Sequence, residues 1–107
     1  MNESEFNDNI DELIMLIEEQ LDESDSDVDY ETHSGILTIE LVNGSQIIIN
    51  RQSSNFQLWL AAKSGGYHFD LNQDSKQWLD TKTSKNFIDV LNQCLSEQSG
   101  DQYNLSL

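Results

Sequence analysis

Residues Glu18–Glu31 read EEQLDESDSDVDYE, and the spacing of their acids changes halfway along. Glu18 with Asp22, and Glu19 with Glu23, stand four apart, so on a helix each pair stacks on one face. Asp25, Asp27, Asp29 and Glu31 stand two apart, so on an extended strand they share a side. The spacing predicts a helix ending near Glu23, a strand beginning near Asp25, and one continuous ridge of carboxylates across the junction. That ridge opposes folding. Like charges at i,i+4 cost about 0.2–0.5 kcal/mol per pair. Exposed acids in the last turn oppose the helix dipole by about 0.3–1 kcal/mol each. Charge alone reads equally well as a solvated acidic segment that protects a sheet edge.

Upstream, Asn2 followed by Glu5 forms a capping-box start. Phe6, Ile10, Leu13, Ile14, Ile17 and Leu21 recur at three- and four-residue steps, which is the stripe of an amphipathic helix. Met15 and Leu16 widen that stripe and read as core.

Downstream, Val28 and Tyr30 alternate with acids in a short first strand that Gly35 breaks. Ile36–Val42 and Gln46–Asn50 flank Asn43-Gly44, the strongest hairpin signal in the chain. From Phe56 to Ala62, Phe56, Leu58 and Leu60 share one face, and Gln57, Trp59 and Ala61 the other. Ser64-Gly65-Gly66 turns into Tyr67–Leu71, and a short strand follows around Gln77–Leu79. Thr83 or Ser84 is expected to cap a last helix that buries Phe87, Leu91, Cys94 and Leu95 and ends at Gly100. Residues 98–107 read as a tail in which Tyr103, Leu105 and Leu107 alternate against the domain. This order, helix, run of antiparallel strands, helix, predicts an α+β fold: a two-layer α–β sandwich with two helices on one face of a twisted antiparallel sheet. Residues 1–107 are expected to form a single domain.

The net charge is −15, but 13 of the 20 acids lie in residues 1–31, where there is no Lys or Arg. Nucleic acid and anionic membranes are therefore poor partners, while metal cations and basic protein surfaces are good ones. The single cysteine, Cys94, excludes an intramolecular disulfide and a Cys-rich metal site, and reads as a small core hydrophobe. No stretch is apolar enough to span a bilayer. Cytoplasmic location is the default expectation; a processed organelle protein would read the same.

Carboxylate oxygens suit Fe, Mn, Ca and Mg. The Asp-x-Asp-x-Asp run at Asp25–Asp29 is not an EF-hand, because Tyr30 holds the glycine position and Ile36 the terminal glutamate position. Exposed acids without a cage bind cations weakly. His33 and His68 form no His-x-x-x-His pair, and neither a Ser/His/Asp order nor a phosphate-binding glycine loop is present. Trp59 falls on the face opposite Leu58 and Leu60, where a large aromatic marks a protein contact. Trp78 reads as core.

The segment Ile47–Leu71, IIINRQSSNFQLWLAAKSGGYHFDL, resembles the frataxins, and within them the bacterial, CyaY-type branch. The run at Ile48–Gln52, the Gln-x-Trp-Leu-Ala block around Trp59 and Gly65–Asp70 fit in order and spacing. Trp78 and the acidic stretch fit as well. The resemblance implies an iron-binding regulator of iron–sulfur cluster assembly, not an enzyme. Iron, as Fe2+ or Fe3+, would sit weakly on Glu18, Glu19, Asp22, Glu23, Asp25, Asp27 and Asp29, with Co2+ or Mn2+ as substitutes. The protein would dock on the cysteine desulfurase and the scaffold protein, using Trp59, Gln57, Arg51 and Asn50. It would be monomeric without metal and associate when metal is added. Two departures stand out: the loop from Gln52 to Gln57 lacks a proline, and Asn7 replaces a histidine that assists metal binding in some bacterial relatives. Two alternatives stand beside this reading. A ferroxidase or iron-storage protein would need Glu-x-x-His pairs, which the chain lacks. An acidic nucleic-acid mimic would spread its charge instead of confining it to one end.

Overall fold

The computed structural model describes residues 1–24 and 28–106. Helix α1 spans Glu3–Glu23. The Asn2 side chain accepts from Glu5 N at 2.8 Å, the forward half of the expected box, while the Glu5 carboxylate accepts at 3.0 Å from the Asn2 carboxamide instead of its backbone N–H. All six stripe residues, Phe6, Ile10, Leu13, Ile14, Ile17 and Leu21, are buried. Full burial of each such side chain stabilises the fold by about 1.5–3 kcal/mol. Met15 and Leu16 are not core: they are 55% and 37% exposed. They lie beyond the arc of α1 that faces the sheet. The helix ends at Ser24, whose hydroxyl donates to Leu21 O at 2.9 Å, and no base sits in its last turn.

The strands are β1 (Asp29–His33), β2 (Ile36–Glu40), β3 (Gln46–Gln52), β4 (Gln57–Ala62), β5 (Gly65–Leu71) and β6 (Trp78–Asp80). They pair antiparallel in sequence order, a six-stranded meander. The two-residue turn with both central residues left-handed is Ser34-Gly35, at φ 52° and 78° between paired His33 and Ile36. It is not Asn43-Gly44, where only Gly44 has positive φ and its N–H closes on Leu41 O at 2.8 Å. Gly35 has a second constraint: a Cβ there would lie 3.1 Å from Arg51 Nε.

Helix α2 spans Phe87–Ser99. Its cap is Asn86, not Thr83 or Ser84; the Asn86 carboxamide accepts from Ile88 N at 3.0 Å. The start is delayed because the buried Asp80 carboxylate gathers Lys82 N at 2.7 Å, while Ser84 takes φ 60°. Gly100, at φ 82°, ends the helix, so the tail begins there and not at residue 98. Tyr103 and Leu105 are buried as expected; Leu107 lies outside the described residues.

Leu37, Ile39, Ile47, Ile49, Leu58, Leu60 and Phe69 form the core face of the sheet beneath both helices. Trp78 joins them, edge-on to Phe6 at 5.9 Å. Phe56 sits outside β4 at φ 51°, yet packs edge-on to Phe6 at 5.4 Å. Among the described residues no helix covers the other face of the sheet. The α+β sandwich is thus the architecture observed. No helix among the described residues is long and apolar enough to cross a membrane.

Candidate metal-binding edge and docking face

Strand register decides where each acid goes. Tyr30 and Thr32 pair with Ile39 and Leu37, both fully buried, so these β1 residues face the helices. Asp29 and Glu31 pair with Glu40 and Thr38 on the open face. Among the described residues the acids therefore fall on both sides of edge strand β1, with Glu18 and Asp22 on the helix side and Asp29 and Glu31 on the open side.

The helix-side row is tied to the strand by hydroxyls. Tyr30 OH donates to Asp22, 2.9 Å from Oδ1 and 2.8 Å from Oδ2, and Thr32 Oγ1 donates to Glu18 Oε2 at 2.9 Å. The Asp22 carboxylate, by accepting that proton, holds the Tyr30 phenol above its ordinary value near 10, with help from burial and from Glu18. Glu19 and Glu23 stand exposed beside this pair. On the open side, Asp29 lies directly opposite Glu40, a like-charge cross-strand pair. Asp25 and Asp27 lie outside the described residues. Among the described residues no three acidic, imidazole or thiol groups converge into a ready-made metal cage. The donor set is hard oxygen in open solvent, which suits a cation that keeps part of its water.

The open face holds a second constellation. Trp59 is half-buried and stacks on His68 across the β4–β5 hairpin, with ring centroids 4.3 Å apart and 11° between planes. Its indole N–H donates to Gln57 Oε1 at 3.0 Å, and Gln57 Nε2 donates to Asp70 Oδ1 at 3.2 Å. Asn50 is the β3 partner of Trp59. Asn50, Gln57 and Trp59 are thus one patch. His68 belongs to it too; the two-residue Lys63-Ser64 connection sets the register that places it there.

Arg51 does not belong to that patch. It pairs with buried Leu58, on the helix side of the sheet. Its guanidinium donates to Asn7 Oδ1 at 3.1 Å and Asp11 Oδ1 at 2.7 Å, which pins the first half of α1. His33 is exposed at the hairpin end of β1, at the far end of the strand from Asp29. Cys94 is buried, and that burial pushes its thiol up, away from the reactive thiolate.

These features define an acidic α–β sandwich with a carboxylate-lined edge and an aromatic patch on an uncovered sheet. The frataxin-like domain family matches residues 1–101. The frataxin of Psychromonas ingrahamii, studied for stability modulation within the CyaY family, is 36% identical, with 100% of both chains covered and a TM-score of 0.91. A trimeric frataxin of the yeast Saccharomyces cerevisiae, solved in complex with ferrous iron, is 25% identical over 87% of each chain, with a TM-score of 0.72. Another yeast frataxin structure is 26% identical, covering 88% of this chain and 80% of its own, at a TM-score of 0.68. The chain belongs to the frataxin family.

Proposed function

We propose that this chain binds iron weakly on its acidic edge and docks on the cysteine desulfurase and scaffold protein of iron–sulfur cluster assembly, slowing cluster formation when iron is bound. The observation that carries this reading is the pairing of Glu18 and Asp22, one turn apart at the end of α1, with exposed Glu19 and Glu23 beside them. The ferrous complex of the yeast relative supports it.

The ligands assigned are Glu18, Glu19, Asp22, Glu23, Asp25, Asp27 and Asp29. Asp29 stands on the other side of β1 from Glu18 and Asp22, so it serves a different ion from the one at the helix end. Open oxygen sites of low ligand count bind in the micromolar range or weaker, about 10⁻⁶ M upward. Co2+ and Mn2+ substitute, since the same oxygens suit them. Bridging cations between two acidic edges account for association on adding metal, and self-repulsion for a monomer without it. We assign no catalytic role, because a diiron centre draws on Glu-x-x-His pairs that this sequence lacks. The docking patch is Trp59 with Gln57 and Asn50. A cytoplasmic location goes with this role.

The test is retention of the purified desulfurase by the immobilised chain, with and without Fe2+, across a salt series. Steep loss with salt, and loss on reversing Glu18, Glu19 and Asp22 to Lys, support the reading. Absence of retention under every condition sinks it.

A further inference from the structure

Asn43 is the single asparagine in the chain that is followed by glycine. Glycine has no Cβ to crowd its backbone nitrogen, so an asparagine cyclises most readily at such a step. The Gly44 nitrogen attacks the Asn43 carboxamide carbon, ammonia leaves, and a five-membered succinimide forms. Water then opens the ring to aspartate or, with the chain rerouted through the side chain, to isoaspartate. Asn43 and Gly44 are both exposed, so solvent reaches them.

The fold restrains each participant in this reaction. Gly44 N–H donates to Leu41 O at 2.8 Å, which engages the nucleophile and keeps its proton in place. The carboxamide is pinned at both ends. Asn43 Oδ1 accepts from Ser45 N at 3.0 Å and from Ser45 Oγ at 2.6 Å. Asn43 Nδ2 donates to Gln98 O at 2.8 Å. Donation to Oδ1 polarises the carbonyl toward attack, so the restraint falls on the nucleophile and on rotation of the amide. Gln98 O is one of the last carbonyls of α2, which lack partners within the helix. The Gln98 side chain holds the same turn to two hairpins: Nε2 donates to Gln46 O at 2.9 Å, and Oε1 accepts from Lys63 N at 3.0 Å. Asn43 is thus one arm of a clamp that joins the β2–β3 turn to the end of α2.

We propose that Asn43 is a site of spontaneous deamidation which this clamp holds unreactive, and that conversion releases the clamp. The product reverses the contact. A carboxylate has no proton to give Gln98 O. It also brings negative charge to the negative end of the α2 dipole, where no base stands in the last turn and Glu97 adjoins Gln98. A copy that reacts during an opening of the clamp therefore refolds with a weaker grip on α2. This inference rests on neither iron binding nor docking.

The test follows the full chain at mildly alkaline pH, in buffer and in urea, with the Asn43 peptide quantified by mass spectrometry. Conversion in urea is expected to be faster by about tenfold or more, because the folded chain reacts only through local opening. Aspartate and isoaspartate should both appear. Asn43→Asp, which mimics one product, is expected to melt below wild type. Asn43→Ala, which loses the bond without adding charge, should fall between the two. Equal rates in buffer and urea would show that the clamp gives no protection and would overturn the proposal. An Asn43→Asp melting temperature no lower than wild type would overturn it as well, since the clamp would then survive conversion.

Discussion

Tyr30 OH lies 2.8 and 2.9 Å from the two carboxylate oxygens of Asp22, so the first strand is fastened to the last turn of the first helix by one phenol. The bond matters because that turn carries acids and no base, and the dipole alone would fray it. Tyr30→Phe is expected to lower the melting temperature and to increase amide exchange at Leu21–Glu23 with little change elsewhere.

The same phenol sets an alkaline limit. Its folded-state value is raised above the ordinary value near 10, chiefly by donation to Asp22. A raised folded value means that the contribution is complete below the unfolded value and is lost as pH rises through the folded one. The melting temperature is therefore expected to fall more steeply above pH ~10 in wild type than in Tyr30→Phe. Parallel curves for the two proteins would show that the phenol plays no part.

Arg51 tests the inward assignment. Its side chain is 16% exposed, and its Nε is buried above Gly35 with no partner among the described residues. Arg51→Met removes the bonds to Asn7 and Asp11. Discounted for the exposure of Asp11, the expected cost is about 1–2 kcal/mol in chemical denaturation. Docking on the assembly machinery should be unchanged.

Trp59 should behave in the opposite way. Leu58 and Leu60 hold the core on β4, so Trp59→Ala keeps the fold and loses the His68 stack, at about 0.5–1.5 kcal/mol. Its loss from a docking hot spot costs about 2 kcal/mol or more in partner affinity. Iron titration is unaffected. Unfolding of this variant would be the decisive contrary result.

Salt and divalent cations are expected to raise the melting temperature, salt by screening the acidic rows and cations by binding the native state. Mn2+ should broaden NMR signals from Glu18 to Glu23 and spare Trp59. Broadening centred on His68 would move the metal site to the open face.

Most of the architecture was legible because it depends on repeats. The buried stripe from Phe6 to Leu21 has the helical period, and the inward set Leu58 and Leu60 has the strand period. The departures share a cause. Met15 and Leu16 are apolar, but the width of a buried stripe depends on what packs against it. The resemblance groups Arg51 with the docking residues, although strand alternation gives it the parity of buried Ile49. The cap at Asn86 was hidden because Ser84 and Thr83 are equally good capping residues by type. Only the turn around Asp80 decides among them.

The sequence by itself determined the order of elements, most of the core residues and the concentration of charge in the first 31 positions. Each of these follows from backbone geometry that repeats within a few residues. Only the tertiary structure decided that Asp29 and Glu31 fall on the other side of β1 from Glu18 and Asp22, that His68 lies under Trp59, that Arg51 turns inward, and that the tail is held between the helices. Those relations join residues as far apart as Gln20 and Ser106. They are fixed by strand register and by side-chain hydrogen bonds between elements, and no local period encodes either.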